Sequence, residues 1–207
     1  MSGHELFDAV VVGGGPAGAT AAEELAGAGR RVALLDKAGR IKPCGGAIPP
    51  RLIRDFEIPS SLLCARIRSA RMVSPTQRTV DMPIDGGYVG MVNREVFDEY
   101  LRERAAERGA ERITGSFERI GRDDEEGAIV HYQAGDRERT LRTRLVIGAD
   151  GALSKVQKEV SPTRPPCVFA YHEIVSAPSG RHTTYDGARC DVVYDGATSP
   201  DFYGWVF

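Results

Sequence analysis

Apolar, β-branched residues fill Phe7–Val12, and three glycines follow at once. A short run of this kind, closed by glycine, predicts a buried strand. Ala17–Ala28 is rich in alanine, and Ala21, Leu25 and Ala28 recur at helical spacing. A helix is expected there, stopped by Gly29. Arg31–Asp36 supplies a second apolar strand, so residues 7–36 make a single βαβ unit, whose strands have to run parallel. The Gly- and Pro-rich stretch Ala38–Pro50 reads as irregular loop.

Farther along, polarity alternates in short runs from Ile67 to Val92, broken by Pro75, Pro83 and Gly86-Gly87, a pattern of antiparallel strands. Asn93 is placed to cap a helix reaching about Arg108, with Val96, Phe97, Tyr100, Leu101 and Ala105 as its apolar stripe and Gly109 as its stop. Residues 111–149 read as several strands. Ile129–Gln133 and Leu141–Arg144 flank a Gly135-Asp136 turn, and Leu145–Ile147 forms a further apolar strand. Beyond Pro162 alternation returns at Val168–Ile174 and Cys190–Tyr194, and the chain stops at Phe207 inside an apolar run, which reads as truncation. The expected class is α/β: a Rossmann-like domain over residues 1–160, carrying inserted strands at about 67–92, then the start of a β-rich domain over 161–207.

Composition narrows the function. A chain of 207 residues can bury one substantial core, and its formal charge of −2 comes from nearly balanced acids and bases. No strong field argues for nucleic acid as a partner. Cys44, Cys64, Cys167 and Cys190 contain no C-x-x-C pair, and His4, His131, His172 and His182 are scattered. Neither a metal site nor a disulfide framework is expected. The residues before Phe7 are polar and acidic, unlike a secretory signal, and no segment approaches the roughly 18–20 apolar residues of a spanning helix. A cytoplasmic, reducing compartment is expected, with any membrane association peripheral.

Two glycine motifs carry the chemistry. Gly13, Gly15 and Gly18 form G-x-G-x-x-G at the junction of strand and helix, with Ala17 inside the motif. Glycine there makes a tight turn, admits a pyrophosphate to the backbone and lets helix and strand pack closely, while the helix N-terminus offers free N–H donors. Asp36, followed by Lys37, closes the second strand about 20 residues on, where a carboxylate accepts hydrogen bonds from ribose hydroxyls. Gly148-Ala149-Asp150-Gly151, with Ser154 and Val156, forms the second motif; a plain surface turn is its alternative explanation.

This second segment resembles the G-A-D-G-x-x-S-x-V signature of flavin enzymes related to p-hydroxybenzoate hydroxylase, in which it serves both flavin and nicotinamide. Lys42-Pro43-Cys44-Gly45-Gly46-Ala47-Ile48-Pro49, Tyr88-Val89-Gly90-Met91-Val92-Asn93-Arg94-Glu95 with Asp98 and Leu101, and Tyr203-Gly204-Trp205-Val206-Phe207 resemble geranylgeranyl reductases. The first of these stretches is most similar to the enzymes of chlorophyll and bacteriochlorophyll synthesis, and the last is shared with archaeal lipid-chain reductases. The resemblance implies an FAD-binding domain of the p-hydroxybenzoate hydroxylase type, NADPH as electron donor, and a prenyl diphosphate or prenylated pigment as substrate, met at a photosynthetic membrane. By the same resemblance Arg94 lies on the FAD phosphate side, Phe117 offers a backbone contact to adenine, and Cys44 with Gly45 and Gly46 lies beside the flavin ring. Tyr203 and Trp205 line the prenyl pocket, core packing being the alternative. The family continues past the last residue here with a proline, the rest of the substrate domain and a late Gly-Asp motif. An aromatic hydroxylase or halogenase on the same fold, an archaeal-type lipid reductase and a non-catalytic flavin-binding piece are the other readings. The W-x-W-x-I stretch expected of halogenases is absent from the sequence.

Overall fold

The computed structural model describes residues 6–37, 44–123, 127–161, 163, 165–179 and 184–207. Lys42 and Pro43 of the Gly-rich stretch, and also His4 and His182, lie outside them. In chain order the elements are β1 (Leu6–Val12), α1 (Pro16–Gly27), β2 (Val32–Asp36), β3 (Ala47–Ile48), α2 (Pro50–Asp55), a short 3₁₀ turn (Ser60–Leu62), β4 (Leu63–Ile67), β5 (Ser69–Val73), β6 (Thr79–Pro83) and β7 (Val89–Val92). There follow α3 (Arg94–Glu107), β8 (Glu111–Thr114), β9 (Ser116–Asp123), β10 (Gly127–Ala134), β11 (Arg137–Gly148), α4 (Lys155–Val160), β12 (Arg189–Val193) and β13 (Gly204–Val206). The chain divides into two units, Met1–Arg40 with Asp98–Cys167 and Ile41–Phe97 with Val168–Phe207.

The first unit holds a six-stranded sheet in the order β8-β2-β1-β11-β10-β9. The four strands β8, β2, β1 and β11 are parallel, and β10 and β9 add to them antiparallel. The expected α/β class with a parallel sheet is what the structure shows. Val10, Val12, Ala33 and Leu35 share a buried cluster with Phe117, Val130 and Tyr132. Period-two alternation sends Val11 and Leu34, equally buried, to the opposite face of the sheet. A strand buried on both faces explains why β1 and β2 read as unbroken apolar runs.

Several expectations change in detail. The buried residues of α1 are Gly18, Ala19, Ala22 and Ala26, which lie beside the spaced residues Ala21, Leu25 and Ala28. Small residues allow the helix to sit close on the strands, whereas Leu25 stays half-exposed at its flank. On α3, Phe97, Leu101 and Ala105 are buried at a spacing of four with Asp98 beside them, while Val96 is turned outward at 53% exposure. Asn93 does cap this helix, its side-chain oxygen accepting from the Glu95 N–H at 3.0 Å, and Gly109 ends it at φ +105°. Leu141–Arg144 and Leu145–Ile147 are not separate strands; β11 is continuous from the hairpin with β10 into the parallel pair with β1.

The second unit contains a three-stranded sheet, β3-β7-β4, and a four-stranded sheet, β13-β12-β5-β6. The hairpin β5–β6 is antiparallel, as the alternation predicted, and β4 and β3 also pair antiparallel with β7. The Gly- and Pro-rich loop is less irregular than expected, since Ala47–Ile48 pairs with β7 and Pro50 opens α2. Val168–Ile174 alternates in sequence yet forms no strand, and Phe169 and Ile174 are almost fully exposed. Alternation makes a strand only where a neighbour takes up its backbone hydrogen bonds. Among the described residues no helix is long and apolar enough to cross a membrane.

Candidate functional site

The first unit gathers its glycine motifs at one edge of the parallel sheet. Val12, at the end of β1, is level with Leu35 on one side and with Gly148 on the other. The loops after β1, β2 and β11 therefore open together beyond the carboxyl ends of the strands, where open α/β sheets bind their ligands. Two motifs separated by some 135 residues in sequence become neighbours, and the Ala149 N–H donates to the Val12 carbonyl at 2.7 Å.

Crowding explains the glycines. Gly13 has φ +105°, and a Cβ there would come within 2.6 Å of the Ala149 carbonyl carbon. A Cβ at Gly18 would overlap the Gly13 carbonyl oxygen, and at Gly14 it would lie 2.8 Å from the Asp36 side chain. Gly15, by contrast, caps α1 in an extended conformation open to any residue (φ −75°, ψ −177°) and is buried. Its lack of a side chain is thus not a backbone requirement. Pro16 follows at the first helical position, where its missing N–H leaves no helix bond unmade. Ala17 is exposed in the first turn of α1, and Lys37 is exposed just past β2.

Asp36 does more than close a strand. Its Oδ2 accepts the Gly14 N–H at 2.5 Å, which ties the end of β2 to the glycine loop. Arg102, unforeseen from the sequence, completes this tie from α3. Its Nη1 donates to the Gly14 carbonyl at 3.0 Å and lies 3.9 Å from Asp36 Oδ1, while its other nitrogens engage Glu99. Arg112 holds the second Glu99 oxygen at 2.7 Å. Partial burial pushes the Glu99 carboxyl up, but the hydrogen bonds from Arg112 and Arg102 outweigh it and hold the group below the usual carboxylate range. Only the Glu99–Arg102 spacing of three residues hinted at any of this, and that spacing is common on helix surfaces.

The Gly148–Gly151 segment is organised by its own acid. Asp150 accepts from the Ser154 hydroxyl and from the backbone N–H groups of Lys155 at 2.6 Å and Val156 at 3.3 Å, so its carboxylate closes the start of α4. Gly151 turns the chain at φ +88°. Lys155, also unforeseen, reaches β9 and donates from Nζ to the Phe117 carbonyl at 3.0 Å. The Phe117 ring is buried in the core.

The remaining candidate residues lie in the second unit, around a cavity of about 1040 Å³. Cys44, Gly45, Arg94, Tyr203 and Trp205 all line it, together with Met91 and Phe207. Gly46 follows at φ +71°, and its carbonyl accepts the Val92 N–H at 2.9 Å, which fixes the Gly-rich loop against β7. The aromatic wall is continuous: Phe202 stacks on Tyr203 at 4.2 Å between centroids, and Trp205 meets Tyr203 edge-on at 5.8 Å. Cys44 is exposed, whereas Cys190 is buried beneath the cavity-lining sheet residues, and burial pushes its thiol up to about 11. Of the two, Cys190 is the inert packing residue.

Residues 7–161 match the family described as pyridine nucleotide-disulphide oxidoreductase. A geranylgeranyl diphosphate reductase of Rhodobacter capsulatus is 62% identical over 202 residues, covering 97% of this chain and 51% of the relative. The chloroplastic geranylgeranyl diphosphate reductase of Oryza sativa subsp. japonica is 40% identical over 223 residues, covering 100% of this chain and 47% of its own length. The resemblance to geranylgeranyl reductases is thus shown across the chain, which spans about half the length of these relatives. A solved geranylgeranyl bacteriochlorophyll reductase-like structure from Thermoplasma acidophilum superposes with a TM-score of 0.79 over 98% of this chain and 53% of that one. At 21% identity this is a likeness of fold, and the fold is the Rossmann-like one.

Proposed function

The chain belongs to the pyridine nucleotide-disulphide oxidoreductase family, and from that premise we propose that it is the FAD-binding portion of a reductase that saturates double bonds of a geranylgeranyl chain with NADPH as donor. The substrate in this reading is geranylgeranyl diphosphate or a geranylgeranyl-(bacterio)chlorophyll. The observation that carries it is 62% identity to a geranylgeranyl diphosphate reductase over 97% of this chain.

The residues fit the cofactor. Gly13, Gly14 and Gly18 leave no room for a Cβ, so the turn into α1 brings bare backbone amides to the sheet edge, where a pyrophosphate is held. In this assignment Gly13, Gly15, Ala17 and Gly18 hold the phosphates, with Asp36 and Lys37 on the ribose side. Phe117, Asp150 and Gly151 are assigned to the same site through backbone or capping groups, and the family resemblance assigns Arg94 to the FAD phosphates and Gly45 and Gly46 to the flavin ring. When bound, FAD supplies a hydride taken from NADPH. An isolated trisubstituted alkene cannot stabilise a carbanion, so a proton has to arrive early, and Cys44 is assigned to hold or orient it. Tyr203 and Trp205 orient the chain and exclude water.

The domain assignment that goes with this reading is an FAD-binding domain over residues 1–160, with the inserted strands, and a substrate domain beginning at 161. Exposed Phe169, Ile174 and Val175 suit peripheral contact with the cytoplasmic face of a photosynthetic membrane. The test is anaerobic NADPH oxidation by the protein supplied with geranylgeranyl diphosphate, read by mass spectrometry. Gain of one H₂ per reduced double bond is expected. NADPH consumption that requires oxygen and leaves the prenyl chain unchanged would overturn the reading in favour of a hydroxylase.

A further inference from the structure

A dinucleotide laid along the edge of a parallel sheet has its pyrophosphate at the first turn and its ribose at the end of the second strand, so its base lies beyond that strand. The second strand ends at Asp36, and the strand beyond it is β8. Thr114 of β8 is level with Asp36, and the Gly115 N–H donates to the Asp36 carbonyl at 2.9 Å. From there the chain passes through Ser116 to Phe117 in β9. The Phe117 peptide therefore follows directly on the segment tied to Asp36, on the base side of the ribose.

The strand ladder alone does not hold this peptide. β9 is the edge strand of its sheet, and its register against β10 shifts, with Phe117 opposite Tyr132 and Arg119 opposite His131, so that Glu118 is an extra residue. A bulge of this kind interrupts the ladder and re-aims the backbone. α4 supplies the missing hold. Lys155 Nζ donates to the Phe117 carbonyl at 3.0 Å and to the Glu118 carboxylate at 3.2 Å, while Glu159 accepts the Ile120 N–H at 3.3 Å. Residues four apart share a helix face, so one face of α4 grips β9 on both sides of the bulge. The start of α4 is fixed in turn by Asp150, which accepts from the Ser154 hydroxyl and the Lys155 N–H. A Cβ at Gly13 would come within 2.8 Å of the Asp150 Cα. Contacts thus run unbroken from the phosphate turn through Asp150 and Lys155 to Phe117.

We infer that Lys155 is a positioning residue for the adenine end of FAD: its ammonium fixes the Phe117 peptide at the base subsite and, through Asp150, sets the distance of that subsite from the phosphate turn. The inference rests on the FAD reading and adds the residue that aligns the two ends of the dinucleotide site. Lys155 acts through the Phe117 carbonyl. An oxygen with two lone pairs can accept from Lys155 and from the adenine amine together.

The experiment titrates apo wild type, Lys155→Met, Lys155→Arg and Glu159→Ala with FAD and with ADP by calorimetry, and follows FAD-dependent hydrogen exchange by mass spectrometry. In wild type, FAD is expected to slow exchange both in residues 13–18 and in residues 116–120. Lys155→Met should lose about threefold to tenfold in affinity for FAD, and as much for ADP, because one half-exposed charged hydrogen bond is removed. Its FAD protection should persist in residues 13–18 and fall in residues 116–120, which also shows that the variant is folded. Lys155→Arg keeps a charged donor and should recover most of the affinity. Glu159→Ala loosens the same strand on the far side of the bulge and should leave both affinities near wild type. Unchanged affinity and protection in Lys155→Met overturn the inference. An equal loss of affinity in Glu159→Ala overturns it too, since Lys155 would then be an anchor of the edge strand and nothing more. Failure of wild type to bind either FAD or ADP overturns the FAD reading instead.

Discussion

The two units make their candidate sites from different material. At the sheet edge of the first unit, the site is backbone: glycines packed where no Cβ fits, a peptide N–H held by Asp36, and a carbonyl held by Arg102. Around the cavity of the second unit, the site is side chains: aromatic rings, a cysteine, an arginine and a histidine from segments scattered between residues 44 and 207. Backbone sites are stiff, because moving an amide moves the strand behind it. Side-chain sites can yield by rotating a ring. One added methyl group should therefore be ruinous in the first and mild in the second.

The largest effect should come from Gly18→Ala. Its new Cβ would occupy the place of the Gly13 carbonyl oxygen, and that oxygen belongs to a loop locked between β1 and the Ala149 segment. Neither side is the end of a flexible side chain. A loss of at least about 3 kcal/mol is expected, with flavin occupancy falling to background. Urea unfolding followed by circular dichroism, alongside flavin absorbance, measures both. Wild-type stability with intact flavin would break the contrast at its stiff end.

This difference in material also decides what could be read from the sequence. Gly13 and Gly18 were legible because crowded backbone leaves few residue choices there, Gly15 and Asp36 through the spacing of the motif, and so was the strand–helix–strand order around them. Which side of α1 is buried was not legible, since the helix turns its smallest residues to the sheet while Leu25 stays at the flank. Arg102 and Lys155 were invisible, because each acts on a backbone carbonyl distant in sequence, Gly14 for one and Phe117 for the other. A surface-type arginine or lysine on a helix carries no mark of such a partner. His172 was likewise one of four scattered histidines, and only the fold brings it to the cavity wall. Motifs quoted for the cavity came from family resemblance, and no spacing rule would have assembled them.

Arg102→Ala should give the next largest effect. The guanidinium is mostly buried, at 20% exposure, and it joins the Gly14 carbonyl, Asp36 and Glu99. Removing it leaves a carbonyl of the glycine loop without its charged donor, a cost of about 2 kcal/mol. Arg102→Lys should recover little, because one ammonium cannot reach all three groups in the planar geometry of the fork. The pH dependence sharpens the assignment. Glu99 is held below the usual carboxylate range by Arg112 and Arg102, so its contribution is present above the ordinary glutamate value and is lost as pH falls through the lowered one. Wild type should lose stability in that acid window, and Arg102→Ala should lose less of it. An acid limb of identical steepness in the two proteins would remove Glu99 from the clamp.

Gly45→Ala tests the yielding end of the contrast and should have the smallest effect. The added Cβ would meet the Phe207 ring at 3.0 Å and the Trp205 indole nitrogen at 3.7 Å. The nearer contact is tight, but it is with ring atoms of a side chain half-open to solvent, and no backbone atom stands behind it at that distance. A ring of this kind gives a few tenths of an ångström by a small change in χ angles, which costs less than about 1 kcal/mol. The displaced ring would narrow the cavity rather than unfold its walls. Stability in urea should therefore stay close to wild type, while the Trp205 emission shifts because its neighbour has moved. Prenyl probes should bind more weakly, with the bulkier chains affected more than a short isoprenoid alcohol. A fall in stability as large as that of Gly18→Ala would show that the Gly45 loop is held as rigidly as the glycine turn of the first unit, and the division between a backbone-built and a side-chain-built site would fail.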